Sequence, residues 1–147
     1  MKTKALKTAK ILNVILVILM AAIGVLFVLL PFACSYYPQY FTQPVPTLIF
    51  CYTAGALALW FLFDLRLLVL SVCKGNPFVK RNADILKRLS FALLFLLFDF
   101  IFIFCFLPSV SKLLCICLLL LGVFCARVLA YLIERAAEYR EEVDLTV

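Results

Sequence analysis

The sequence predicts an all-α polytopic membrane protein: one domain, residues 1–147, of four transmembrane helices in two antiparallel hairpins. Apolar residues fill 67% of the 147 positions and charged residues only 15%, a balance that no water-soluble globule can bury. Four apolar runs, at 11–30, 47–72, 89–107 and 113–133, each reach the ~20 residues that a ~30 Å hydrocarbon layer asks of a helix. The charges lie between these runs, which makes them a topology signal. Lys2, Lys4, Lys7 and Lys10 precede the first span, and Lys74, Lys80, Arg81, Lys87 and Arg88 separate the second from the third. The connection 31–46 carries no charge, and the one between the third and fourth spans offers only Lys112. The positive-inside bias then places both termini and the central basic stretch in the cytoplasm, at the plasma membrane. The net charge of +6 is accounted for by topology, so no direct nucleic-acid partner is expected.

The first span follows a basic arm and contains one strongly polar residue, Asn13. It is too long for the ~7–15-residue core of a signal peptide, so it reads as an uncleaved helix. Pro31 marks its expected end, because proline removes a backbone donor. The outer connection holds Phe32, Tyr36, Tyr37, Tyr40 and Phe41 between four prolines. Such rings settle at the membrane–water boundary. An aromatic cage for a cation is the competing reading.

The second span carries Asp64 and Arg66. Two residues apart on a helix is about 200°, so the pair points to nearly opposite sides and each side chain needs its own partner. Beyond this span Gly75, Asn76 and Pro77 read as a turn, an N-cap and a first helical position. From Phe78 onward Phe78, Ile85, Leu86 and Leu89 share one face and Lys80, Asp84, Lys87 and Arg88 another, which predicts a basic interfacial helix between the second and third spans. The third span centres on Asp99 among phenylalanines, and Pro108-Ser109 turns it tightly into the fourth. The fourth span holds Arg127, and its extension from Glu134 is expected to stay helical before fraying from Val143 onward.

Little here suggests catalysis. Histidine is absent, which removes the commonest general base and metal ligand. Seven cysteines show no repeated framework, and Cys115-x-Cys117 lacks the spacing of a redox pair. Cysteine as a small packing residue is the simpler reading. No enzyme activity, cofactor or metal site is expected.

Two groups of residues remain as candidates. Asp64, Arg66, Asp99 and Arg127 are ionisable residues within spans, each costing ~2.5–3.5 kcal/mol if uncompensated, so a paired charged cluster inside the bundle is expected. It could serve a ligand or a coupled ion, or act as structural glue with the arginines snorkelling. The second group is a cytoplasmic interaction or lipid surface of Gly75, Pro77, Phe78, Lys80, Arg81, Asn82, Lys87 and Arg88. It could hold anionic lipid headgroups at ~1 kcal/mol per basic residue, an acidic partner, or the chain's own acidic tail from Glu134 to Asp144. A homo-oligomer is compatible with all of these.

Arg66 near the end of the second span, Gly75-x-Pro77-Phe78 followed by Asn82, Leu86 and Leu89, and the C-terminal Glu142-x-Asp144-Leu145-Thr146-Val147 together resemble a family of small bacterial four-helix membrane proteins known as domain of unknown function 2975. The resemblance implies a four-span plan and a small helix-turn-helix regulator as the partner. Val79-Lys80-Arg81 departs from the pattern, standing where polar or acidic residues often precede the asparagine. The functional expectation is therefore a membrane-embedded regulatory or interaction protein whose cytoplasmic face binds a small partner. The alternative is a small-molecule sensor or transporter using the intramembrane charges.

Overall fold

The computed structural model describes residues 2–36, 43–74 and 79–146, with side chains from Lys7 onward. It is all-helical: α1 (Lys2–Tyr36), α2 (Pro44–Cys73), α3 (Lys80–Phe106) and α4 (Val110–Thr146). Each helix is long and apolar enough to cross a membrane. They pack in chain order, α1 on α2, α2 on α3 and α3 on α4. The four therefore form a row, with α1 and α4 on its flanks, rather than a closed ring.

Each neighbouring pair runs antiparallel, and paired residues fix the register. Asn13 meets Arg66, and fourteen residues on along α1 and back along α2, Phe27 meets Tyr52. Thr53 meets Asp99, and Asp64 meets Arg88 eleven residues away on both helices. Lys80 meets Glu141, and Lys87 meets Glu134 seven residues away on both. One end of the row thus gathers the charges and both chain termini. The other end carries the connections around residues 43 and 107–109.

Lipid offers no hydrophobic drive for helix pairing, so close approach depends on small side chains and a few polar ties. On α1 the less exposed positions are Ala9, Asn13, Leu16, Met20, Ile23, Phe27, Leu30 and Cys34. They alternate spacings of four and three, a heptad seam turned to α2. On the α3–α4 side the small buried residues are Ala126, Ala130 and Ala137 of α4 and Ala83 and Ser90 of α3, while Ala92, half a turn round from Ala83, shares the side of Arg88 and Asp99 that meets α2. Leu86, Leu89 and Ala130 form the core, with Phe61, Leu65, Leu68 and Ile133 packed around it. The core therefore joins α2, α3 and α4 toward the charged end, and α3 is wedged between two partners.

Three boundaries differ from the sequence reading. Helix α1 continues through Pro31 to Tyr36. Proline at 31 removes the N–H that would serve the Phe27 carbonyl, and that oxygen instead lies 3.3 Å from the Tyr52 hydroxyl, which donates to it. The basic stretch from Lys80 is helical, but it is the opening of α3, continuous with the third span, rather than a separate interfacial helix. Its apolar face is covered by neighbouring helices instead of lipid. The C-terminal extension stays helical to Thr146 and does not fray at Val143.

Candidate functional site

The four intramembrane charges do not form one cluster. Among the described residues no ion pair joins any of them to another, and each has a different partner. Asp64 and Arg66 do point to opposite sides of α2, as their spacing requires. Asp64 faces α3, fully buried, with Arg88 Nη2 3.0 Å from its Oδ1. Arg66 faces α1, where its Nε donates to Asn13 Oδ1 at 3.0 Å. The Asp64–Arg88 contact is close yet out of line for a hydrogen bond, and neither Asp64 oxygen has a hydrogen-bond donor among the described residues. The contact joins a carboxylate closed off from water to a guanidinium whose other atoms reach it.

Register also changes their depth. Asp64 is level with Arg88, and the apolar stretch of α3 begins only at Leu89. Asp64 and Arg66 therefore sit at the rim of the hydrocarbon layer, whereas counting along α2 alone places them well inside it. Asp99, eleven residues from Arg88, lies about 16 Å deeper, near the centre of its span. There it meets the Thr53 hydroxyl, 2.6 Å from Asp99 Oδ1. That hydroxyl is also 2.8 Å from the Ile49 carbonyl oxygen, and its single proton serves one acceptor at a time.

Arg127 faces outward on α4. The register of α3 and α4 sets it level with Leu94, yet its guanidinium lies over the Phe91 ring, 4.6 Å from the centroid. The side chain thus leans about 4.5 Å toward the charged end, the direction of snorkelling. Arg127 and Asp99 consequently diverge.

At the charged end, much of the expected lipid surface is occupied by the chain's own tail. Lys80 Nζ lies 2.8 Å from Glu141 Oε2, and Lys87 Nζ lies 3.0 Å from Glu134. The Glu141 carboxylate holds the Lys80 ammonium above the ordinary lysine value of 10.5, by its hydrogen bond first and its charge second. Arg88 belongs to Asp64. Asn82, expected on this surface, is buried at 1% exposure, because it stands on the face of α3 that packs inward. Arg81 remains exposed. Gly75, Pro77 and Phe78 lie outside the described residues, as do Tyr37, Tyr40 and Phe41 of the aromatic connection. Phe32 and Tyr36 are exposed at the end of α1.

Sequence reasoning missed three partners. Arg88 looked like a lipid contact, Asn13 like an isolated polar residue, and Thr53 drew no attention. A cleft of about 430 Å³ between α1, α2 and α3 was also invisible; its walls include Ile23, Phe27, Gly55, Leu96 and Phe100. Asp99 is not among those walls. All seven cysteines are free thiols, Cys115 half-buried and Cys117 exposed.

No protein-family model matches this sequence, and neither a curated protein nor a solved structure is similar to it.

Proposed function

We propose that the chain is a membrane-embedded interaction protein whose charged end faces the cytoplasm and docks a small regulatory partner, with a helix-turn-helix regulator as the first candidate. The observation that carries this reading is the continuation of α4 past the apolar layer. From Glu134 to Thr146 the helix extends about 20 Å further, backed by the opening turns of α3 through Lys80–Glu141, Lys87–Glu134 and the buried Ala83 and Ala137. This extension presents Tyr139 and, one turn on, Val143 along one side of α4, Tyr139 65% and Val143 59% exposed, while the exposed Leu145 lies about 200° round from Val143. Glu142 and Asp144 stand beside them, also exposed. An exposed tyrosine and valine flanked by charged side chains, on a helix braced as far as Glu141, suit a protein surface.

The sensor or transporter reading has less support. Its charges are dispersed among separate partners, and the cleft beside α1 is apolar. In-cell photocrosslinking tests the choice, with photoreactive residues at Val79 and Tyr139 and, as a control, at Phe124 on the lipid side of α4. Capture of one discrete cytosolic protein at Val79 or Tyr139 but not at Phe124 is expected. Lipid adducts alone at all three positions would refute the docking reading.

A further inference from the structure

Five of the basic residues toward the charged end have a counterpart within the chain: Arg66 with Asn13, Lys80 with Glu141, Lys87 with Glu134, Arg88 with Asp64 and Arg135 with Glu138. Lys74 and Arg81 have no ion pair among the described residues, and both line one small crevice where α2 ends and α3 begins. Asp84, a turn along α3 from Arg81, pairs with neither. The other walls are Leu67, Leu70, Ser71 and Ile85, and the space measures about 110 Å³. Register reinforces the convergence: seven residues beyond the Asp64–Arg88 pair on both helices, Ser71 stands opposite Arg81. The opening of α3 adds to the positive field here, since Val79 leaves its first N–H groups without a side-chain cap. At the end of α2 the Lys74 backbone N–H is shared between the Leu70 and Ser71 carbonyls.

We infer that this crevice is a phosphate-binding site. Two cations carried by two different helices, a compact space and a surplus of donors suit a tetrahedral anion. Its depth names the nearest source. Arg81 lies about 10 Å beyond Arg88, where the apolar stretch of α3 begins, a few ångströms outside a headgroup layer of about 5–7 Å, so that its long side chain reaches back to the phosphates. A phosphate on an anionic lipid lies within reach of both side chains there. A soluble phosphate arriving from water would meet the same donors. The site stands independently of the docking surface on α4 and needs only the membrane placement of the helices.

The test uses the full chain in phosphatidylcholine vesicles containing a trace of spin-labelled phosphatidylglycerol or spin-labelled phosphatidylcholine. The immobilised fraction of each label gives their relative association. Phosphatidylglycerol is expected to be preferred, and a Lys74→Gln/Arg81→Gln variant to lose about 10-fold or more of that preference, the order of one hydrogen bond to a charged group. A Lys7→Gln/Lys10→Gln variant removes equal charge from exposed positions at the same end and is expected to keep the preference. In a second arm, inorganic phosphate is titrated by calorimetry against the chain in pure phosphatidylcholine. Binding there that the Lys74→Gln/Arg81→Gln variant loses, without any lipid preference, upholds the site and identifies its source as soluble phosphate. Three results overturn the inference: no binding in either arm, a preference that survives the Lys74→Gln/Arg81→Gln change, or equal loss in both variants.

Discussion

The two aspartates that face α3's contact with α2 sit in opposite settings. Asp64, at the charged end, is fully enclosed and held by a cation, Arg88, whose own side chain is 54% exposed. Asp99, near the centre of the span, has a hydroxyl, Thr53, and no cation among the described residues. The depth order is the reverse of what charge alone demands, since ion pairs are most needed where water is furthest away. The difference shows where this fold can supply cations. Among the described residues arginine and lysine cluster at the charged end, where their other atoms reach water, and Arg127 leans back toward it; Lys112, at the far end, is turned to the Leu107 carbonyl. The mid-span polar contact is a hydrogen bond, donated by the Thr53 hydroxyl of α2.

The sharpest way to break this contrast is at Arg88. Arg88→Leu leaves a buried carboxylate without its cation, and unfolding in mixed micelles should report a loss of about 3 kcal/mol, in the range for stripping one partner from a buried pair. Adding Asp64→Asn should recover most of it. An Arg88→Leu variant as stable as the parent would mean that the Arg88 contact does not hold α2 to α3. A smaller effect is expected at the α1 flank, where the Phe27 ring lies against Gly55 and a Cβ there would collide with it. Gly55→Leu should cost about 1–3 kcal/mol as overpacking and loosen α1 selectively, read as faster hydrogen exchange in α1 alone. Phe27→Ala should restore packing in that background.

These two sites also show what the sequence could and could not reveal. Four spans were legible because run length and charge placement need no partner to interpret. The opposite directions of Asp64 and Arg66 were legible too, since helical geometry alone sets them. Which helix each would meet was not, because it depends on register between segments. Every face of α1 is apolar, so its heptad seam has no polar side to contrast with, and the periodicity that marks a buried face in water carries no signal in lipid. Arg88 illustrates the other limit. Beside Lys87 in a basic run it looks like part of a lipid surface, and only the fold brings a buried acid to its level. Depth failed for a related reason: α2 is longer than one bilayer width, so counting along it places charges inside a layer that α3 shows they only border.

At mid-span, Thr53→Val removes the hydroxyl from Asp99 without changing side-chain volume much. Hydrogen bonds between membrane helices average ~0.6 kcal/mol by double-mutant cycles, so the loss should be of that size, several times less than at Arg88. Asp99→Asn keeps an acceptor toward Thr53 and should fall below the resolution of the same measurement. A Thr53→Val loss matching that at Arg88 would show Asp99 to be the more demanding of the two acids and would invert the comparison.

The smallest effect belongs to the extension beyond the membrane, at Lys80 and Glu141. Both side chains are more than half exposed, so water and salt screen their attraction. The neighbouring carboxylate raises the folded-state value of Lys80 above its unfolded one near 10.5. Its contribution is therefore fully present below that value and is lost as pH rises through the raised one. Lys80→Gln should lower the protection of amides 134–146 slightly at low salt and neutral pH, and not at all in 0.5 M NaCl, a concentration on the order of that which shortens the Debye length to a few ångströms. Above the lysine range the parent and variant should coincide. The outcome decides what holds α4 straight past the bilayer. If protection survives every one of these conditions, the brace is the packing of α3 on α4 around small residues such as Ala83 and Ala137, buried at 1% and 4% exposure, and an Ala137→Leu change that forces the helices apart should release the extension where removing the ion pair does not.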